Sequence, residues 1–325
     1  MVVLNSLLDQ VHILLSTGRK DEAIKLTRDA RDKGDAGAQF QWAMWRLIGD
    51  PLPRDLSAAR IWLARARLGQ TDAAAVEIAL TANGSGGPQN WQQARLLLDA
   101  ATDDAAEVQR RLLLKMQLDD SGMPLEVPLG TPLTDDSRIG RFPAFLSPDE
   151  CAHVAQAMAM RMEPALVVDP ATGRQTLHPV RTSDSAVVSP TVENLALRAI
   201  NLRIAAATST HVDQGEPLTI LRYRRGQQFR PHHDALSQTR NQRSMTMLIY
   251  LNEGFVGGET IFPSYDLSIV PKGGDAILFH NLLNDGMPDP KMRHAGAPVR
   301  QGSKWLATRW IRTHRYDPWR GPENI

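Results

Sequence analysis

The residues of this 325-residue chain most suited to chemistry sit in the run Arg230-Pro231-His232-His233-Asp234. In an extended strand, side chains two apart share a face, so His232 and Asp234 point together while His233 points away. An imidazole and a carboxylate on one face supply two metal ligands and leave a third to be found. Two histidines and one carboxylate on one face of an octahedron leave three positions open, the arrangement suited to non-haem Fe(II) and O2. The chain has nine histidines, and His294 is the best placed of them. It lies 60 residues past Asp234, room for a barrel strand to return beside the first, and ten residues before Lys304. His233 and His280 read as packing or surface residues. A His-x-Asp pair alone is a weak signal, and its weight depends on the elements around it.

Those elements follow from the patterning of the chain. Short β-branched and aromatic runs at 218–223, 245–251, 269–270, 276–279 and 304–310 are separated by Gly and Pro turns, which predicts a sandwich or barrel with flanking helices. Side chains of Lys304, Leu306, Thr308, Trp310 and Arg312 fall on one face of the last strand. Ser147-Pro148-Asp149-Glu150 carries the signature of a helix start, with Ser147 as N-cap and Pro148 at the first helical position. Residues 5–118 differ in texture. They are rich in Ala, Leu, Arg, Asp and Gln with apolar residues at helical spacing, and breakers fall at 49–51 and 83–88. Ala23, Ala59 and Ala94 head similar tetrapeptides 36 and 35 residues apart, a period expected of stacked two-helix units. The Pro- and Gly-punctuated stretch 119–133 cannot continue a helix. The expected organisation is therefore an α-helical repeat domain over 1–120, a linker over 121–137 and a β-rich domain over 138–325.

Hydrophobic residues make up 42% of the chain and charged residues 22%, ordinary for a globular protein, and the net charge of +1 gives no general attraction to nucleic acid or acidic membranes. One cysteine, Cys151, excludes an internal disulfide. The stretch from Met1 to Leu15 lacks a basic leader and a small-residue cleavage site, and no run approaches the roughly 20 apolar residues of a membrane span. A cytoplasmic setting is expected.

Four ordered blocks between 139 and 312 resemble the prolyl 4-hydroxylases, which are Fe(II)- and 2-oxoglutarate-dependent dioxygenases. Tyr223-x-x-Gly226-Gln227-x-Phe229-x-x-His232-x-Asp234 is similar to the first iron-binding strand of that family. Arg243-x-x-Thr246-x-x-x-Tyr250-Leu251-Asn252 and Gly257-Gly258-Glu259-Thr260-x-Phe262-Pro263 resemble the strand and turn that follow. His294-x-x-x-Pro298-x-x-x-Gly302-x-Lys304-Trp305 resembles the distal segment, and Arg181-Thr182-Ser183 a short upstream motif. The resemblance implies a double-stranded β-helix (jelly roll), giving an α+β chain with the helical repeats in front. It implies that His232, Asp234 and His294 hold Fe(II), that Lys304 pairs with the distal carboxylate of 2-oxoglutarate, and that Tyr223 and Thr260 add hydrogen bonds. O2 is the co-reactant and ascorbate an ancillary reductant. Asp234 favours hydroxylation, because related halogenases lack that carboxylate.

The same resemblance places Arg181, Phe229, Arg243, Trp310 and Arg312 at the substrate. Two of these depart from the family, which has Tyr at the position of Phe229 and, in plant-like members, His near that of Arg312. The expected reaction is hydroxylation of a protein or peptide side chain, most of all proline, with repeats that dock the polypeptide. A hydroxylase of a free amino acid or small metabolite, and a non-catalytic scaffold with a degenerate barrel, are the alternatives.

Overall fold

The computed structural model describes residues 6–168, 175–177, 180–236, 239–270 and 272–321. The first five residues of the stretch weighed above as a leader lie outside it. Two compact units divide the chain, 1–123 with 190–199, and 124–189 with 200–325.

The first unit is helical, with α1 (Leu7–Ser16), α2 (Lys20–Asp32), α3 (Ala36–Ile48), α4 (Leu56–Ala66), α5 (Thr71–Asn83), α6 (Trp91–Ala100) and α7 (Asp104–Lys115). Side chains short enough to bond their own backbone start five of these, Ser6 at α1 among them. Asp35, Asp55, Asn90 and Asp103 accept from the amides of Ala38, Ala58, Gln93 and Ala106. Gly49 and Gly84, both left-handed, stop α3 and α5. Ala23, Ala59 and Ala94, the three residues of the sequence periodicity, are all fully buried. The Arg31 guanidinium lies over both Trp42 and Trp62, at 4.1 and 4.5 Å from the ring centres. Segment 190–199 is held here too, though it lies far beyond the linear boundary read from the sequence. Asn83 Nδ2 donates to Pro190 O (2.9 Å), the Leu195 amide donates to Gln109 Oε1 (3.1 Å), and Arg198 Nη2 donates to Gln89 Oε1 (3.1 Å).

The second unit holds α8 (Pro148–Ala159), most of α9 (Leu195–Ala207), and the strands. In chain order these are β1 (Thr131–Pro132), β2 (Ile139–Phe142), β3 (Glu163–Pro164), β4 (Leu166–Val168), β5 (Gln175–Leu177), β6 (Asp184–Val187), β7 (Thr219–Tyr223), β8 (Phe229–His232), β9 (Arg243–Tyr250), β10 (Val256–Gly257), β11 (Thr260–Phe262), β12 (Leu267–Ile269), β13 (Ala276–His280), β14 (His294–Gly296), β15 (Val299–Gln301) and β16 (Lys304–Arg312). The capping box read from Ser147 and Glu150 forms in full.

An eight-stranded sheet runs β1-β2-β13-β9-β16-β7-β6-β3, and a four-stranded sheet runs β12-β11-β14-β8, with antiparallel pairing throughout. One core joins them. Leu221, Tyr223, Leu248, Tyr250, Ile277, Phe279 and Leu306 from the larger sheet pack with Phe262 and Ile269 from the smaller. This is the jelly-roll architecture, and the chain is α+β. Alternation along β16 buries Lys304 and Thr308 among apolar neighbours, so a charged residue enters the barrel because the pleat aims it there.

Candidate active site

Strand register brings the site together. His232 at the end of β8 stands directly opposite His294 at the start of β14, so the cross-strand pairing supplies two ligands at once, with ring centres 4.3 Å apart. Asp234 lies just past the end of β8, where a bend begins, and still shares the face of His232: Oδ1 lies 3.6 Å from His232 Nε2 and Oδ2 lies 3.8 Å from His294 Nε2. The three side chains offer ligand atoms that all lie within 4.8 Å of one another, the single such group found among the described residues. His233 is exposed, as expected from its opposite face.

The donor set fits a divalent metal. Nδ1 of His232 faces the Arg230 carbonyl (2.8 Å) and Nδ1 of His294 faces the Met292 carbonyl (3.0 Å). A carbonyl can only accept, so each Nδ1 carries the proton and each Nε2 is left as a lone-pair donor toward Asp234. Burial pushes the His294 imidazole down to about 4 and keeps it neutral. Burial acts against ionisation of Asp234; any proton held by His294 or His232, together with the Arg243 guanidinium, acts for it, and the carboxyl lies well below its usual range. Aromatic rings fix both imidazoles. Phe229 stacks on His232 at 3.4 Å between centres, and Phe279 and Phe262 lie 4.7 and 5.4 Å from His294.

Lys304 lies on the same cleft, opposite Tyr223 in the β16–β7 register. It is 3% exposed and its Nζ donates to Gly258 O at 2.7 Å. A Cβ on Gly258, where φ is +70°, would stand 3.0 Å from Lys304 Cδ, which gives the Gly257-Gly258 pair a local reason. No carboxylate of the described residues forms an ion pair with Lys304, and burial pushes its ammonium down to about 7 against the partial help of Glu259. Buried ammonium without a counter-ion is costly, so the cleft suits a ligand carboxylate. Tyr223 and Thr260 line the same cleft, and Thr260 Oγ1 is bonded to the Tyr250 hydroxyl at 2.7 Å.

The residues expected at the substrate divide into two groups. Arg181, Phe229 and Trp310 line the cleft. Arg181 is the antiparallel bridge partner of Phe229, with its guanidinium 5.6 Å from that ring. Arg243 and Arg312 are not on its lining. Arg243 stacks on Trp310 at 4.0 Å and is bidentate to Glu216 (2.5 and 2.8 Å), while Arg312 reaches the same carboxylate at 2.7 Å. The β16–β9 register shifts between Ile311 and Arg312, which sets Arg312 opposite Arg243 and brings both arginines to one acid. Glu216 has no motif around it, and the only sequence signal that could have found it is the excess of nearby arginines needing an acid.

Residues 218–312 match the family model of the 2OG-Fe(II) oxygenase superfamily. A probable prolyl 4-hydroxylase 10 of Arabidopsis thaliana is 33% identical over 238 residues, covering 66% of this chain and 81% of that protein. Prolyl 4-hydroxylase 1 of the same plant is 36% identical over 187 residues, covering 52% and 66%. Among solved structures, the viral collagen prolyl hydroxylase of Paramecium Bursaria Chlorella virus-1 in its 2OG complex aligns with a TM-score of 0.46 and 26% identity, covering 56% of this chain and 99% of that one. The chain belongs to the prolyl 4-hydroxylase family of 2OG-Fe(II) oxygenases, whose cofactor and co-substrates are Fe(II), 2-oxoglutarate and O2.

Proposed function

We propose that this chain hydroxylates proline in a protein or peptide, with His232, Asp234 and His294 holding Fe(II) and Lys304 holding the distal carboxylate of 2-oxoglutarate. The observation that carries this reading is the convergence, in one cleft, of a two-imidazole and carboxylate triad with a buried lysine that has no ion-pair partner among the described residues. Bound Fe(II), 2-oxoglutarate and O2 supply an oxidative decarboxylation that yields succinate and CO2 and oxidises an unactivated C–H bond.

The chain's own part is to hold and orient. The two Nδ1–H bonds to backbone carbonyls set both imidazole planes before any metal arrives. Lys304 gives the co-substrate a fixed far end, and Tyr223 lies beside it, its ring 5.7 Å from the ammonium. Apolar Leu221, Leu248 and Leu306 line the cleft and exclude water from the reacting centre. Toward the substrate, Trp310 Nε1, Thr308 Oγ1 and Arg181 Nε are buried with no hydrogen-bond partner among the described residues. Buried donors of this kind fit a polypeptide backbone, which is rich in carbonyl acceptors. The named relatives are prolyl 4-hydroxylases, which supports proline as the target.

Docking of the substrate by the helical unit is part of the proposal. Ile61 and Leu96 lie two residues past the buried Ala59 and Ala94 and are 57% and 64% exposed, a repeated apolar feature on α4 and α6. Deleting the unit would be a poor test, because it also strips the partners of segment 190–199. Replacing Ile61 and Leu96 with Glu is cleaner, and a raised KM for long but not short peptides is the expected result. No helix among the described residues is long and apolar enough to cross a membrane, and the single buried thiol of Cys151 accords with a cytoplasmic setting. The whole reading is tested by incubating the iron-loaded protein with 2-oxoglutarate, air and proline-containing peptides or free proline. Hydroxyproline in a peptide supports it, and hydroxylation of free proline alone moves the substrate to a small metabolite.

A further inference from the structure

We infer that Thr246 and Asn281 form a two-step hydrogen-bond relay whose task is to position Asp234 as a metal ligand. The inference rests on the reading that His232, Asp234 and His294 hold the metal. Thr246 sits on β9 and Asn281 immediately follows β13, and both are essentially inaccessible, at 0% and 2% exposed. Asn281 Nδ2 lies 2.9 Å from Thr246 Oγ1, which in turn lies 2.7 Å from Asp234 Oδ2.

The polarity of this chain of contacts is fixed by chemistry. As a metal ligand Asp234 is a carboxylate whose oxygens can only accept, so the Thr246 hydroxyl must give its one proton to Oδ2. That hydroxyl then has only lone pairs left for Asn281, so Asn281 must present its amide NH2 and not its oxygen. The opposite end of the amide agrees, because Asn281 Oδ1 is buried without a partner among the described residues. Asn281 thus accepts an unpaired oxygen in order to offer its donor to Thr246. The Asn281 backbone is pinned on both sides, its N–H donating to Ser244 O at 2.8 Å and its C=O accepting from the Asp289 amide at 2.9 Å. A rigid donor therefore points at the threonine, and the threonine points at the carboxylate.

The consequence concerns how Asp234 binds. Thr246 occupies a lone pair of Oδ2, whereas among the described residues no hydroxyl reaches Oδ1, which faces His232 Nε2 at 3.6 Å. The relay biases the carboxylate toward binding through one oxygen. That spares coordination positions that a bidentate carboxylate would fill. It also restrains a ligand that lies outside β8 and has no ladder bonds of its own to hold it. Thr246 and Asn281 are positioning residues, since neither is among the residues that line the cleft.

The test is a double-mutant cycle on metal affinity, read by titrating Co(II) into the full-length protein and following its visible spectrum, without co-substrate or turnover. Thr246→Val and Asn281→Leu keep size and remove the polar groups. Each is expected to weaken Co(II) binding, Thr246→Val by on the order of 10- to 100-fold, the scale found when partners of metal ligands are removed. The double variant should be no worse than Thr246→Val, because the two act in series. Thr246→Ser should recover most of the affinity and the wild-type spectrum. Thermal unfolding of the metal-free proteins separates loss of fold from loss of metal. If Thr246→Val does not fold, Asn281→Leu and Thr246→Ser carry the test. Additive losses, an Asn281→Leu protein with wild-type affinity, or a Thr246→Ser protein as weak as Thr246→Val would overturn the relay. Failure of the wild type itself to bind Co(II) would sink the metal-site reading instead.

Discussion

Raising the pH from 7 to 9 should weaken 2-oxoglutarate binding by about 50-fold while leaving the metal ligands in their working forms. The reason is Lys304. Burial lowers its ammonium from the ordinary 10.5 to about 7 against the partial help of Glu259, and its Nζ donates to the Gly258 carbonyl. At pH 7 the ligand-free lysine is half charged, and at pH 9 about one molecule in a hundred is. A dianionic ligand needs the cation, so each pH unit above the midpoint costs about tenfold, or roughly 1.4 kcal/mol. His294, pushed down to about 4, stays neutral across this range and Asp234 stays ionised, so metal retention should not change. The assay is anaerobic calorimetry with metal-loaded protein in two buffers of different ionisation heat. Binding at pH 9 should take up close to one proton. Lys304→Arg, charged at both pH values, should flatten the dependence even if its overall affinity is lower. Affinity that is level between pH 7 and 9, or that falls as steeply in Lys304→Arg, would refute the reasoning. The same depression has a sign for stability. The unfolded chain binds the extra proton between about 7 and 10.5, so the Lys304 contribution makes the ligand-free protein more stable as pH rises through that window.

Other outcomes follow from contacts already described. Glu216→Gln leaves Arg243 and Arg312 buried without their shared carboxylate and should destabilise the protein by about 3–5 kcal/mol in urea unfolding, with peptide KM raised as Trp310 loses its braced neighbour. Phe229→Leu removes the ring stacked on His232 and should cost about 0.5–1.5 kcal/mol of metal affinity, a few-fold change in a Co(II) titration. Ser147→Ala breaks the capping box of α8 and should cost about 1 kcal/mol of stability by chemical denaturation, with no change in metal affinity.

The sequence made the site legible to different depths. Local chemistry carried Ser147, because a cap and its reciprocal glutamate lie three residues apart and need no tertiary context. His232 and His294 could be paired because a barrel must return a strand beside the first, and β14 does so in register. The convergence of Asp234 with His232 could be anticipated from alternation, which holds through the exposed His233 to the buried Asp234 although β8 itself ends at His232. Glu216 was invisible because it is one acid among 36, and only the fold reveals that two arginines depend on it. Arg243 and Arg312, expected at the substrate, converge on Glu216 beside Trp310, a pairing between distant segments that local alternation does not encode. The holding of segment 190–199 by Asn83, Gln89 and Gln109 is a contact across about a hundred residues, and no local pattern encodes it.

The most direct test of the account is coupled turnover. The anaerobically purified protein would receive Fe(II), 2-oxoglutarate, air and a proline-rich peptide, with succinate and peptide mass followed together, and His232→Ala, Asp234→Ala and His294→Ala as controls. The account predicts that wild type forms succinate in step with a mass gain of one oxygen on proline, and that all three variants form neither. A folded, iron-loaded wild type that releases no succinate, or variants that turn over as fast as wild type, would contradict it.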